Sequence, residues 1–373
     1  MPTRARDLGI VIGDHPTGPQ NAITDVPGVR VAHTTLVDGE GDLKRGYGPI
    51  RTGVTLVEPR PDVASSPVFA GFHRLNGNGE MTGLQWIKEN GALTTPIGLT
   101  NSHSVGVVRD AIVARLADER PDRDLFWLLP VVAETWDGVL NDINGQHVKA
   151  EHVHEAFDGL AAGPVAEGAV GGGTGMICHE FKGGIGTSSR RLAAEAGGYT
   201  VGVLVQANYG RRSRLRINGA PVGEKIGPDV IPSPYDAAVG LAGQAGSGSI
   251  IVIVATDAPL LPHQCDRLAQ RAALGIGRMG GTGEHGSGDL ILSFATGNTG
   301  LPPVGFEEPG GATELPVRMV TNPTIDPLFD LVVEATEEAI VNAMVAAETT
   351  VGRDGLTAHA LDHDLLRSAL GLA

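Results

Sequence analysis

The run Ile250-Ile251-Val252-Ile253-Val254-Ala255 constrains this chain more than any other stretch. It is wholly apolar and rich in β-branched residues, the pattern of a strand buried in a core. It is also the longest purely apolar stretch, far short of the ~20 residues of a membrane-spanning helix. It begins abruptly after Ala245-Gly246-Ser247-Gly248-Ser249. Upstream, Gly227-Pro228-Asp229-Val230-Ile231-Pro232-Ser233-Pro234-Tyr235 is too proline-rich for a helix interior. A flexible arm therefore runs straight into a rigid strand. By itself such a junction is also what an interdomain linker looks like.

Other strand-like runs are Gly9–Ile12, Val29–Val31, Gly53–Glu58, Tyr199–Gln206, Asp289–Thr296 and Pro316–Val320. Helix-like runs are Met81–Glu89, Val105–Glu119, Glu151–Leu160, His263–Leu274 and Pro327–Glu348. Ser104 and Pro262 stand where helices start, and Leu268, Ala272 and Leu274 give the fourth helix its apolar side. The elements mix without a regular βαβα beat. A layered α+β sandwich is expected, rather than a doubly wound sheet or a (β/α)8 barrel.

A formal net charge of −15 speaks against a nucleic-acid binder, which needs a basic face to neutralise phosphates. With 41% apolar and 19% charged residues, the chain can bury a core. Cys178 and Cys265 cannot build a disulfide framework or a four-thiolate zinc site. The N-terminus has no apolar stretch after its basic residues, so no signal peptide is expected. These features predict a soluble cytoplasmic protein with no membrane partner.

Several motifs fail on context. Gly275-Ile276-Gly277-Arg278-Met279-Gly280 follows a helix-like run, whereas a dinucleotide fingerprint follows a strand and opens a helix. Gly171-Gly172-Gly173-Thr174-Gly175 lacks the Lys-Ser/Thr ending of a phosphate loop. His152 and His154 would point about 200° apart on a helix, so no shared metal is expected. No G-x-S-x-G nucleophile elbow occurs.

Gly248-Ser249 fits a nucleophile made by self-cleavage. Gly248 has no Cβ, so its carbonyl is open to the Ser249 hydroxyl. An N→O acyl shift followed by hydrolysis would free an α-amine on Ser249. Its reference pKa of roughly 7.7–8.0 suits it to act as base for its own hydroxyl. Further on, Gly286-Ser287-Gly288-Asp289 precedes an apolar run. If the tract opens a strand, Ser287 and Asp289 face the same side and the acid can hold the hydroxyl.

These features sit in a sequence that resembles the DmpA-type aminopeptidases, which include the β-peptidyl aminopeptidases. The matched tracts run nearly the whole length: Ile23–Val31, Gly77–Gly83, Leu99–Gly106, Val132–Gly138, Gly171–Met176, Val205–Gly210, Gly248–Leu260 and Gly286–Asp289. The resemblance implies one catalytic domain, 1–373, on a four-layer α/β/β/α sandwich with the connectivity shared by ornithine acetyltransferase. It implies self-cleavage into an α chain 1–248 and a β chain 249–373, assembled as a tetramer of αβ units, with no cofactor. Ser249 matches the nucleophile, Ser287 and Asp289 its proton-handling partners, and Asn208 the oxyanion-hole amide. Glu134 matches the carboxylate that meets the substrate's free amine, and Trp136 and Asn101 are among the substrate contacts. Asp289 stands where some β-peptide-cleaving members have Glu.

The expected activity is removal of N-terminal residues from short peptides, amides or esters. Two alternatives share the fold. One is an acyltransferase like ornithine acetyltransferase, disfavoured because that enzyme uses threonine as nucleophile. The other is an uncleaved small-molecule-binding protein, against which the intact Ser249, Ser287 and Asp289 set argues.

Overall fold

The computed structural model describes residues 2–121, 127–237, 248–303 and 313–372. The Gly/Ser arm at 245–247 lies outside them.

Two sheets lie face to face. One has the order β1 (Arg30–Asp38), β2 (Ile50–Glu58), β5 (Ile97–Asn101), β6 (Val131–Thr135). The other has six strands. From one edge they are β4 (Ala92–Leu93), β3 (Val68–Arg74), β12 (Leu290–Ala295), β11 (Ser249–Thr256), β10 (Thr200–Asn208) and β9 (Gly184–Arg191). A short hairpin, β7 (Ile177–Cys178) and β8 (Phe181–Lys182), sits beside β10. Neighbouring strands are antiparallel except β5 with β6 and β11 with β12.

The apolar run now has its reason. Ile250, Val252 and Val254 point to the core shared with helices α6 (Pro262–Arg278) and α7 (Asp326–Val345). Ile251, Ile253 and Ala255 point into the core between the two sheets. A strand buried on both faces has no place for polar alternation. On the outer face of the four-stranded sheet, α2 (Val105–Asp118) and α3 (Ala150–Asp158) cover Ala32, Val54 and Leu56. The layers are thus α/β/β/α. Smaller helices are α1 (Leu84–Asn90), the single turns α4 (Val222–Lys225) and α5 (Pro234–Ala237), and α8 (His363–Leu370).

Helix α7 lies almost on the backbone of β9. A Cβ at Gly186 would sit 2.0 Å from the carbonyl oxygen of Ala339, so only glycine fits there. Beside it, Arg190 is fully buried and bonds Glu334 at 3.1 Å and Glu338 at 2.6 Å. Pairing with hydrogen bonds is what makes such buried charges tolerable.

Two expected strands are absent. Ile10 and Ile12 are buried as expected of Gly9–Ile12, but no strand lies beside them, and the Ile12 carbonyl is taken by Arg190. Along Pro316–Val320, the Arg318 main chain bonds the Asn298 side chain instead of a neighbouring strand. Pro316 could donate nothing to a ladder in any case. Leu274 is 59% exposed, because it lies two residues past the buried Ala272, on the other side of α6. Ser104 precedes α2 but makes no capping hydrogen bond through its side chain. Pro262 does open α6.

Candidate active site

The first residue of β11 is Ser249, and the antiparallel register places it opposite Asn208, the last residue of β10. Its hydroxyl accepts a hydrogen bond from the Gly288 N–H at 3.1 Å. Gly248, just before it, packs against β10 so closely that a Cβ would stand 1.8 Å from the Asn208 carbonyl oxygen. Contact alone therefore requires glycine at 248.

Ser287 and Asp289 lie in the turn before β12, not in the strand, and the Ser287 N–H bonds the Glu284 carbonyl. They meet all the same. The Ser287 hydroxyl donates to Asp289 Oδ1 at 2.5 Å, and the Ile250 N–H donates to the same oxygen at 3.3 Å. The pair thus stands beside the strand that Ser249 opens. Burial raises the Asp289 carboxyl above its ordinary pKa, opposed by hydrogen bonds from Ser287, Ile250 and Asn76.

Asn208 is held in one orientation. Its Oδ1 accepts the Ile177 N–H at 2.8 Å and its Nδ2 donates to the Trp136 carbonyl at 2.9 Å. An amide nitrogen carries two protons, so one N–H remains for an incoming oxygen. The Trp136 ring is half-buried over Gly138, against Val139, Leu140 and Ile177.

Glu134 lies within β6 and is 6% exposed. One oxygen accepts the Glu80 N–H at 2.9 Å and the other accepts the Ser102 hydroxyl. Burial raises its pKa, and the neighbouring Glu80 carboxylate pushes the same way. Asn101 is the last residue of β5 and is buried. It donates to Thr52 at 2.7 Å, accepts the His103 N–H, and helps hold Asp137, whose pKa burial pushes up to about 7.

Between Glu134 and the serines runs the loop Gly77–Glu80. Gly79 and Gly288 touch back to back, and a Cβ on Gly288 would lie 2.6 Å from the Gly79 Cα. The Asn78 N–H bonds the Ser287 carbonyl. Sequence reasoning gave no role to Asn76, Ser102 or the Gly288 N–H. The clustered Asn and Gly residues at 76–79 were the available signal for a turn that must approach another backbone.

The family model described as peptidase family S58 matches residues 21–358. The chain belongs to this family. Among S58 relatives, it is 50% identical over 372 residues to the β-peptidyl aminopeptidase BapA of Sphingosinicella microcystinivorans, covering 98% of this chain and 91% of the relative. It superposes on a β-aminopeptidase from a Burkholderia species with a TM-score of 0.91 and 55% identity, over 99% of this chain and 98% of the other. It also superposes on the L-aminopeptidase D-Ala-esterase/amidase of Ochrobactrum anthropi, a prototype serine aminopeptidase on a variant of the Ntn hydrolase fold. There the TM-score is 0.89 at 44% identity, over 99% of this chain and 98% of the other. This S58 chain is a peptide-bond hydrolase of the serine aminopeptidase type, on that same fold.

Proposed function

We propose that the chain is one catalytic domain that cuts itself between Gly248 and Ser249, and that the freed Ser249 is the nucleophile of an aminopeptidase. The observation that carries this reading is the mounting of the Ser249 hydroxyl on a rigid central strand. It lies against the Gly288 N–H and beside the Ser287–Asp289 pair.

In maturation, Ser249 Oγ attacks the Gly248 carbonyl carbon and gives its proton toward the Ser287–Asp289 pair. The C–N bond breaks, the nitrogen takes up a proton, and Gly248 is carried as an ester. Water then releases the Gly248 carboxylate and leaves Ser249 with a free amine and hydroxyl. In turnover, that amine accepts the Oγ proton as Oγ attacks the substrate carbonyl. The free N–H of Asn208 meets the developing oxyanion. The leaving amine takes the proton, and water resolves the acyl-enzyme by the same route.

Glu134 meets the substrate's ammonium group. A substrate with an acylated amine would leave this buried carboxylate unpaired, which excludes it. We expect Glu134→Gln to fold and to process, because Gln keeps an oxygen for the Glu80 N–H and the Ser102 hydroxyl can turn to accept. Its kcat/KM on free-amine substrates should fall roughly 10- to 100-fold, the worth of a hydrogen bond to a charged group. Full activity on L-alanyl p-nitroanilide would move the amine-binding role to another acid.

The relatives named for β-peptides support β-aminoacyl amides and short peptides as the substrate class. Purified protein on a denaturing gel should give two bands of about two-thirds and one-third of the mass, in proportion to residue number. The smaller should begin Ser-Ile-Ile-Val. β-Alanyl p-nitroanilide should be turned over faster than the L-Ala and D-Ala compounds. A start at Ser247, or no release from any of the three, would defeat the proposal. No helix among the described residues is long and apolar enough to cross a membrane. Two buried, unpaired thiols agree with a cytoplasmic site of action. A tetramer of αβ units is the assembly proposed, to be read by light scattering.

A further inference from the structure

Asp289 can help Ser249 only while its Oδ1 faces Ser287 and the start of β11. A carboxylate on a short side chain turns about two bonds, so something must choose that rotamer. Ser287 cannot choose it alone, since a hydroxyl follows whichever oxygen is near. The loop ahead of Gly77 supplies a second hold. Asn76 Oδ1 accepts the main-chain N–H of Asp289, and Asn76 Nδ2 donates to Asp289 Oδ2 at 2.9 Å. The same Nδ2 donates to the Glu284 carbonyl at 3.1 Å, and the Leu75 N–H bonds the Asp289 carbonyl at 3.1 Å. The amide's orientation is settled by this network. A main-chain N–H requires the oxygen on its side, which turns the nitrogen to two acceptors.

We propose that Asn76 is a positioning residue for the reaction: by gripping both the backbone and the outer carboxylate oxygen of Asp289, it aims the inner oxygen at Ser287 and Ser249. This rests on the reading of Ser287 and Asp289 given above. No other side chain of similar size does both tasks. Asp offers no donor, Ala offers neither group, and in Gln the extra methylene carries the amide past the position that spans both groups. The grip also favours the ionised form of Asp289, as a donated hydrogen bond does. Other titratable groups facing Asp289 are Glu284, which is paired with Arg211 and Arg214, and the buried phenol of Tyr209. Glu284 opposes ionisation, so the Asn76 bond works against it.

Asn76→Ala and Asn76→Asp separate positioning from mere support. Misaiming a catalytic group costs on the order of 10²-fold in kcat, and KM should change little. The acid limb of self-cleavage, the step in which the Ser287–Asp289 pair takes the proton, should move to higher pH in both variants. It should move further in Asn76→Asp, where a second carboxylate faces the first. A purely structural role predicts the reverse order, because Asp is isosteric with Asn and should disturb the fold least. The limb is read from the pH dependence of self-cleavage on gels. If the limb stays at the wild-type pH in both variants, or Asn76→Ala is the more shifted of the two, the inference is overturned. Ser249→Ala run alongside keeps the two readings apart. A Ser249→Ala protein that still cleaves sinks the nucleophile assignment itself, whereas an inactive one with unshifted Asn76 variants sinks only this inference.

Discussion

Ser249→Ala should run as one band at the full 38.5 kDa and release no amine from any substrate. The expected loss is complete on both counts, because one oxygen performs both steps. Its structural cost is small. Among the described residues the hydroxyl accepts one neutral hydrogen bond, from Gly288, and the strand behind it is fixed by Ile250–Ala255 on both faces. Such a bond contributes only about 1 kcal/mol. The variant should therefore keep the wild-type thermal midpoint within a few degrees. Ser249→Cys should still process, since a thiolate can make the same acyl shift. Two bands from Ser249→Ala would mean that another group attacks the Gly248 carbonyl.

The second large effect is expected at Asn208. One of its N–H groups is committed to the Trp136 carbonyl and its oxygen to the Ile177 N–H. The side chain is thus anchored on two sides, and the remaining proton is aimed in advance. Preorganised donors of this kind are worth ~10²–10³ in rate when removed. Asn208→Ala should lose that much in hydrolysis. Self-cleavage should slow as well, because the Gly248 carbonyl passes through an oxyanion of its own. Hydrolysis is read with p-nitroanilides and processing by time-resolved gels. A variant that processed and hydrolysed at wild-type rates would place the oxyanion at another donor.

Legibility in the sequence followed the number of faces an element buries. Ser249–Thr256 could be read to its ends because nothing polar interrupts it until Thr256. Strand β9 was not seen. Its Thr187, Ser188, Ser189 and Arg190 are polar yet buried, matched to carboxylates and main-chain groups from distant segments. No local pattern announces partners nearly 150 residues away. The same limit applies at the site. Ser287 and Asp289 are two residues apart and could be paired on paper, although a turn and not a strand brings them together. Asn76 reaches Asp289 across 213 positions, and only the folded loop makes that contact.

The order of the six-stranded sheet has a consequence for the life of the molecule after a cut at Gly248–Ser249. Strands β12 and β11 belong to the shorter piece, while β3 on one side and β10 on the other belong to the longer. The shorter piece is thus clasped from both edges, and separation would break two ladders and two cores at once. Folding before the cut is a first-order event within one chain. Refolding after it would need two chains to find each other, and would slow with dilution. Such a nick would make native assembly a step taken once, so the working enzyme's lifetime would rest on the barrier to opening rather than on any ready return.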